Sequence, residues 1–214
     1  MTGNGQEKKR GFFIVVEGID GTGKTTFVRN LGAALTGKGV RAVTTFEPTR
    51  GRYGIMLRES FSAPERLSPE EECRLFTLDR EEHVRKFILP HLERGDTVIC
   101  DRYYFSTMAY QGARGLDTEE IRKKNRSVAP EPDLLFILEL DPELAAKRIT
   151  AGRGEKLNNF EQVAYLDKVD RIFRAMTECY IRRIDASMPP EEMAEKAMEE
   201  IDRACRKEAC DKAD

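Results

Sequence analysis

One short stretch constrains the fold more than any other. Gly18-Ile19-Asp20-Gly21-Thr22-Gly23-Lys24-Thr25 follows the apolar run Phe12-Phe13-Ile14-Val15-Val16 and leads into a helix-forming segment from Lys24 to Leu35. The pattern G-x-x-x-x-G-K-[ST] between a buried strand and a helix describes a phosphate-cradling turn, the P-loop. Its glycines Gly18, Gly21 and Gly23 let backbone N–H groups converge on phosphate oxygens. The helix that follows adds the positive end of its dipole. Lys24 can reach the terminal phosphates, and the Thr25 hydroxyl is an oxygen ligand suited to Mg²⁺. Asp20, Thr22 and Thr26 complete the predicted ATP-binding stretch. The motif implies nucleotide binding and leaves open what the nucleotide is used for.

The rest of the chain agrees with an α/β fold. Val40 to Phe46, Thr97 to Cys100 and Leu134 to Leu140 are further apolar strand candidates. Ser68-Pro69-Glu70-Glu71 predicts a helix start, with Ser68 as cap and Glu71 as the capping-box acid, and that helix is expected to run to about Pro90. Helices are also expected over 102–112, from Asp117, after Asp141-Pro142, and over 160–182 and 190–208. Strands alternating with helices imply a mainly parallel sheet.

At 214 residues the chain suits one domain, read as 11–208 after a loose polar tail at 1–10. A net charge of −2 gives no reason to expect nucleic-acid binding. No apolar run approaches the roughly 20 residues of a membrane span, and the polar start lacks the apolar core of an export signal. The five cysteines are scattered without zinc-site spacing, as expected of free thiols in a reducing cytoplasm.

Further residues narrow the chemistry. There is no N-K-x-D guanine-reading motif. The strand at 97–100 ends in Asp101-Arg102-Tyr103, which alone suits either an acid for Mg²⁺ and a guanidinium for phosphate beside the P-loop or a surface ion pair at a strand end. Phe76 and Arg80 are four apart on a predicted helix and share a face, a ring beside a fork of donors. Gln111 carries both a donor and an acceptor. Taken alone, Phe76 could be core and Arg80 a surface charge.

The residues Val16 to Thr26, Glu47-Pro48-Thr49, Leu75-Phe76 with Asp79-Arg80 and His83, Asp101-Arg102-Tyr103 with Ser106-Thr107 and Ala109-Tyr110-Gln111-Gly112, Pro132-Asp133-Leu134, Asp141-Pro142 and Ile184-Asp185-Ala186 occur in one order over about 12–202. In that order they resemble the thymidylate kinases. The resemblance implies a five-stranded nucleoside monophosphate kinase-like sheet with a short lid at about 148–160, a homodimer, ATP and dTMP as substrates, and Mg²⁺. It implies that Phe76 stacks on thymine, that Arg80 donates to its O4, and that Thr107, Tyr110 and Gln111 line the base and sugar. Tyr110 would crowd out a 2′-hydroxyl, Asp20 would approach the 3′-hydroxyl, and Arg102 would hold the acceptor phosphate. Lys24, Asp101, Arg102 and Arg153 are then the catalytic set.

Two departures from the family pattern matter. Phe46 stands where the common bacterial form has an arginine, so Arg50 and Arg52 become candidates for the acceptor phosphate, and both equally suit a solvated loop. Gly21-Thr22 leaves no arginine in the P-loop, so the mobile cation is expected from the lid. Arg153, flanked by Gly152 and Gly154, is the choice there, and Arg148 could stack on adenine or touch phosphate. A deoxynucleoside kinase and a non-enzymatic P-loop regulator are the alternatives.

Overall fold

The computed structural model describes residues 10–153 and 159–210, with side chains at 10–151 and 161–206. Five strands form one sheet, β1 (Phe13–Glu17), β2 (Ala42–Phe46), β3 (Thr97–Asp101), β4 (Leu134–Glu139) and β5 (Ile181–Asp185). Their spatial order is β2-β3-β1-β4-β5 and every neighbouring pair is parallel. β1 is central, with Val15 opposite Cys100 on one side and Leu135 on the other. The runs in β1, β3 and β4 are continuous and apolar because both faces are covered by helices, and all of β1 and β3 is buried.

The helices are α1 (Lys24–Gly37), α2 (Arg52–Phe61), α3 (Pro69–His83), α4 (Leu89–Glu93), α5 (Tyr104–Gly112), α6 (Thr118–Arg126), α7 (Pro142–Arg153), α8 (Asn159–Ala175) and α9 (Pro190–Cys210). Asp117 and Asp141 cap α6 and α7 through bonds from the first-turn amides, as expected of Asp at that position. Ser68 caps α3 by accepting from the Glu71 amide at 3.2 Å. The predicted capping box is only half formed, because the Glu71 carboxylate turns to Arg74 instead. The helix does not stop near Pro90. Between α3 and α4 lies a π turn, Val84–Ile88, and the chain stays helical to Glu93. Pro90 has no N–H to donate four residues back, and the wider turn just before it absorbs that mismatch.

Two elements differ from the sequence expectation. The helix read over 160–182 ends at Ala175, and the chain re-enters the sheet as β5. Residues 52–61, for which the sequence reading gave no element, form α2. At the amino terminus, Arg10 is tied down by Asp133 at 3.1 Å and the Gly11 amide bonds the Leu92 carbonyl, while 1–9 lie outside the described residues.

Candidate functional site

The parallel sheet directs the carboxyl ends of β1 and β3 to one edge, where the Gly-rich turn and Asp101 meet. α1 starts at Gly23, which has a left-handed backbone (φ 84), and it has no side-chain cap and no acid in its first turn. Its first amides are therefore free for an anion. Gly21 has φ 87, and a Cβ there would lie 2.5 Å from the Ala145 carbonyl oxygen, so the turn requires glycine. A cavity of about 1340 Å³ opens over this turn, lined by Gly21, Gly23, Lys24, Thr25, Thr26, Asp101, Arg102 and Arg148 among others.

Within the turn Lys24 folds back, donating to the carbonyls of Gly18 at 3.0 Å and Ile19 at 2.8 Å. Burial, together with the nearby Arg102, lowers its ammonium to about 8. Thr22 is buried and its hydroxyl closes the turn onto the Ile19 carbonyl, so that side chain faces inward and not the cavity. Thr25 Oγ1 donates to Asp101 Oδ2 at 2.8 Å. A hydroxyl and a carboxylate oxygen held together beside free amides form an all-oxygen set that suits Mg²⁺.

A second cavity of about 400 Å³ adjoins the first, and the two share Asp20, Glu47 and Arg102. Arg102 sits at this seam with φ 69, an uncommon backbone for a side chain other than glycine. Its amide bonds the Val16 carbonyl, and its guanidinium reaches Asp20 Oδ1 at 2.6 Å and Ser106 Oγ at 2.9 Å. The strain is held by Glu17, which sequence reading left without a role. This fully buried carboxylate accepts from the amides of Tyr103 (2.7 Å) and Ser106 (2.9 Å) and from the Ser106 hydroxyl. Burial raises its pKa to about 7, against the pull of Arg102 and of those hydrogen bonds. Tyr110 lies under Arg102, 5.1 Å from guanidinium carbon to ring centroid, and its hydroxyl accepts from the Asp20 amide at 3.0 Å.

Phe61, Phe76, Arg66, Arg80, Gln111 and Tyr165 also line the second cavity. Arg80 is buried with Glu47, at side-chain exposures of 1% and 2%. Its Nε and Nη2 bond Glu47, Nη2 also bonds Thr107, and Nη1 bonds Asn125. A guanidinium has five N–H donors, so these three hydrogen bonds and the ion-pair contact with Glu47 leave a hydrogen on Nη1 that is not used by them. Thr107 thus anchors Arg80 and does not itself line the cavity. Gln111 gives its Nε2 to Glu72 at 3.0 Å, and its Oε1 is buried with no hydrogen-bond partner among the described residues.

Glu47 is braced by His83, whose other ring nitrogen contacts Thr45 Oγ1 at 2.7 Å. Glu47, His83 and Cys100 bring potential ligand atoms within 4.8 Å of one another. Both imidazole nitrogens are already engaged and the Cys100 thiol donates to the Arg102 carbonyl, so the cluster is an internal brace. Arg50 lies over Phe46 and Arg52 over Tyr53, and neither lines either cavity. Arg148 lines the larger one and donates to the Ala186 carbonyl at 3.0 Å. Residues 154–158 of the expected lid and the side chains at 152–160, Arg153 among them, lie outside the described residues.

A phosphate cradle joined through a shared arginine to a ring-sized polar cavity is the arrangement of a nucleotide kinase with two substrates. A model of the thymidylate kinase family matches residues 16–197. The chain belongs to the thymidylate kinase family. It is 46% identical over 176 residues to a thymidylate kinase of Desulfotalea psychrophila, covering 82% of this chain and 87% of that one. A thymidylate kinase of Akkermansia muciniphila is 47% identical over 187 residues, or 87% and 89% of the two chains. A protein named probable thymidylate kinase from Archaeoglobus fulgidus is 44% identical over 189 residues, or 88% and 94%. The all-parallel sheet and the Gly-rich turn are thus those of a P-loop kinase of this family. Glu17, Glu47, Glu72, Arg66, Asn125 and Tyr165 are the site residues that sequence reasoning did not assign.

Proposed function

We propose that this chain transfers the γ-phosphoryl group of ATP to dTMP, giving ADP and dTDP for dTTP synthesis. The observation that carries the reading is the polarity of the second cavity. Gln111 Oε1 offers a lone pair and Arg80 Nη1 a hydrogen, and both side chains line this cavity. Thymine presents the complement, an N3–H donor next to an O4 acceptor. Cytosine presents an acceptor and a donor at those positions and mismatches twice, which is costly in a closed site. Phe76 supplies the flat face for the ring.

We assign the remaining roles to groups around the two cavities and to the lid. Tyr110 supports the sugar edge and leaves little room for a 2′-hydroxyl. Asp20, beside it, is placed for the 3′-hydroxyl. Arg102, at the seam, pairs with the acceptor phosphate and draws it toward the donor. A phosphate oxygen of dTMP attacks the γ-phosphorus as the bond to the β-phosphate oxygen breaks, and ADP leaves. The attacking oxygen is already ionised near neutral pH, so no strong base is required. Lys24 swings from the Gly18 and Ile19 carbonyls to the β- and γ-phosphates. Mg²⁺, held by Thr25 and organised by Asp101, would neutralise charge on the donor phosphates. Arg153 is the proposed lid cation and Arg148 a further contact to ATP.

A homodimer belongs to the same proposal and is supported by Ile55 and Met56 of α2, which are exposed apolar residues. No helix among the described residues is long and apolar enough to cross a membrane, and we place the enzyme in the cytoplasm. The test is MgATP-dependent ADP release with dTMP, dUMP, dCMP, AMP and thymidine as competing acceptors. Preference for dTMP, with weaker dUMP turnover, is expected. Preference for thymidine would make the chain a nucleoside kinase, and no turnover with any acceptor would leave a nucleotide-binding regulator.

A further inference from the structure

Glu72 lies one helical turn before Phe76 and two before Arg80, on the same face of α3. It is fully buried, an uncommon place for a carboxylate. Arg66 grips it through Nε at 2.6 Å and Nη2 at 3.1 Å, Arg114 reaches it at 2.6 Å, and Gln111 Nε2 at 3.0 Å. None of these groups belongs to the phosphate machinery.

We infer that Glu72 is a positioning residue that sets base selectivity by fixing which way the Gln111 amide faces. This rests on the thymine reading of the smaller cavity. A carboxylate offers only lone pairs, so a glutamine facing it must turn its NH₂ inward. The carbonyl oxygen is then the atom presented to the base. In this structure that oxygen is buried and has no hydrogen-bond partner among the described residues, although an unpaired buried acceptor is costly. Its partner is a donor on the guest, the N3–H of a thymine or uracil ring. Cytosine, with a lone pair at N3, meets like polarity. Without the carboxylate the amide could turn over and present its NH₂ to cytosine instead. Arg66 bonds both oxygens of Glu72 and Arg114 shares Oε2 with Gln111, so the carboxylate itself is held in place.

The test compares kcat/KM for dTMP and dCMP in the wild type, Glu72→Gln and Glu72→Asp. Glutamine at 72 can donate or accept and releases the Gln111 amide. The dTMP-to-dCMP ratio is expected to fall roughly ten- to a hundredfold, mainly through KM, while aspartate, still an acceptor alone, retains most of the ratio. An unchanged ratio in folded Glu72→Gln overturns the inference. If that variant does not fold, the wild type decides through the side-chain amide protons of Gln111, assigned in NMR spectra with a Gln111→Ala reference. They are expected to stay slow in exchange with and without dTMP. Exposure or reversal of that amide on dTMP binding overturns the inference too. A wild type that shows no preference for dTMP overturns the thymidylate reading itself, a result separate from either of these.

Discussion

Burial of Glu17 has a measurable consequence for stability. Its carboxyl titrates near 7 in the folded chain against 4.5 as the reference value. Burial is the largest cause, and Arg102 and the bonds from Ser106 and Tyr103 oppose it. The folded state therefore holds this proton more tightly than the unfolded state between pH 4.5 and 7. Stability from this group is fully present below the unfolded pKa and is lost as pH rises through the folded one. The shift corresponds to about 3 kcal/mol across that window. Glu17→Gln keeps an acceptor for the Tyr103 and Ser106 amides and a donor for the Ser106 hydroxyl, but does not titrate. Urea unfolding of the two proteins from pH 4 to 8 should show the variant gaining on the wild type by about 3 kcal/mol, nearly all of it below pH 7.5. A stability difference that stays flat over this range, or that moves in favour of the wild type as pH rises, refutes the reasoning.

Other consequences are as specific. Because the Lys24 ammonium titrates near 8 in the free enzyme, kcat/KM for ATP should fall as pH rises above 8, where the charge facing the phosphates is lost. Arg102→Ala should lower kcat/KM for dTMP by roughly 100-fold or more, while calorimetry still detects MgATP binding. Arg80→Met removes one partner of a buried ion pair and leaves Glu47 uncompensated, so thermal unfolding should show a loss of roughly 3–5 kcal/mol. Gly54→Ala would put a Cβ 2.0 Å from the Thr49 carbonyl oxygen and should cost roughly 2–4 kcal/mol in chemical denaturation, through a forced backbone shift.

The sequence made the phosphate cradle legible because its chemistry is local. A strand, three glycines, a lysine and a threonine in fixed spacing leave one arrangement open. The capping aspartates 117 and 141 were legible for the same reason. β5 was not, because Ile181-Arg182-Arg183-Ile184-Asp185 is a charged edge strand, and no glycine or proline separates it from the helix before it. Arg183 points across the end of that helix to the carbonyls of Phe173, Arg174 and Met176, a contact that no local pattern announces. α2 was hidden by Gly51 and Gly54, which read as loop residues. Gly54 instead permits close approach to Thr49 within the helix's first turn. In the second cavity, helical spacing placed Phe76 and Arg80 together, and the same spacing would have added Glu72. The inward turn of Thr107 toward Arg80 depends on where α3 packs against α5, which only the tertiary structure fixes.

The central claim is transfer between two phosphates. It is tested most directly by following dTMP and MgATP with the wild-type enzyme by ³¹P NMR. The account predicts that the γ-phosphorus signal of ATP declines as the two signals of dTDP and those of ADP grow together in equal amounts. Hydrolysis of ATP to ADP and inorganic phosphate, with dTMP left unchanged, would contradict it.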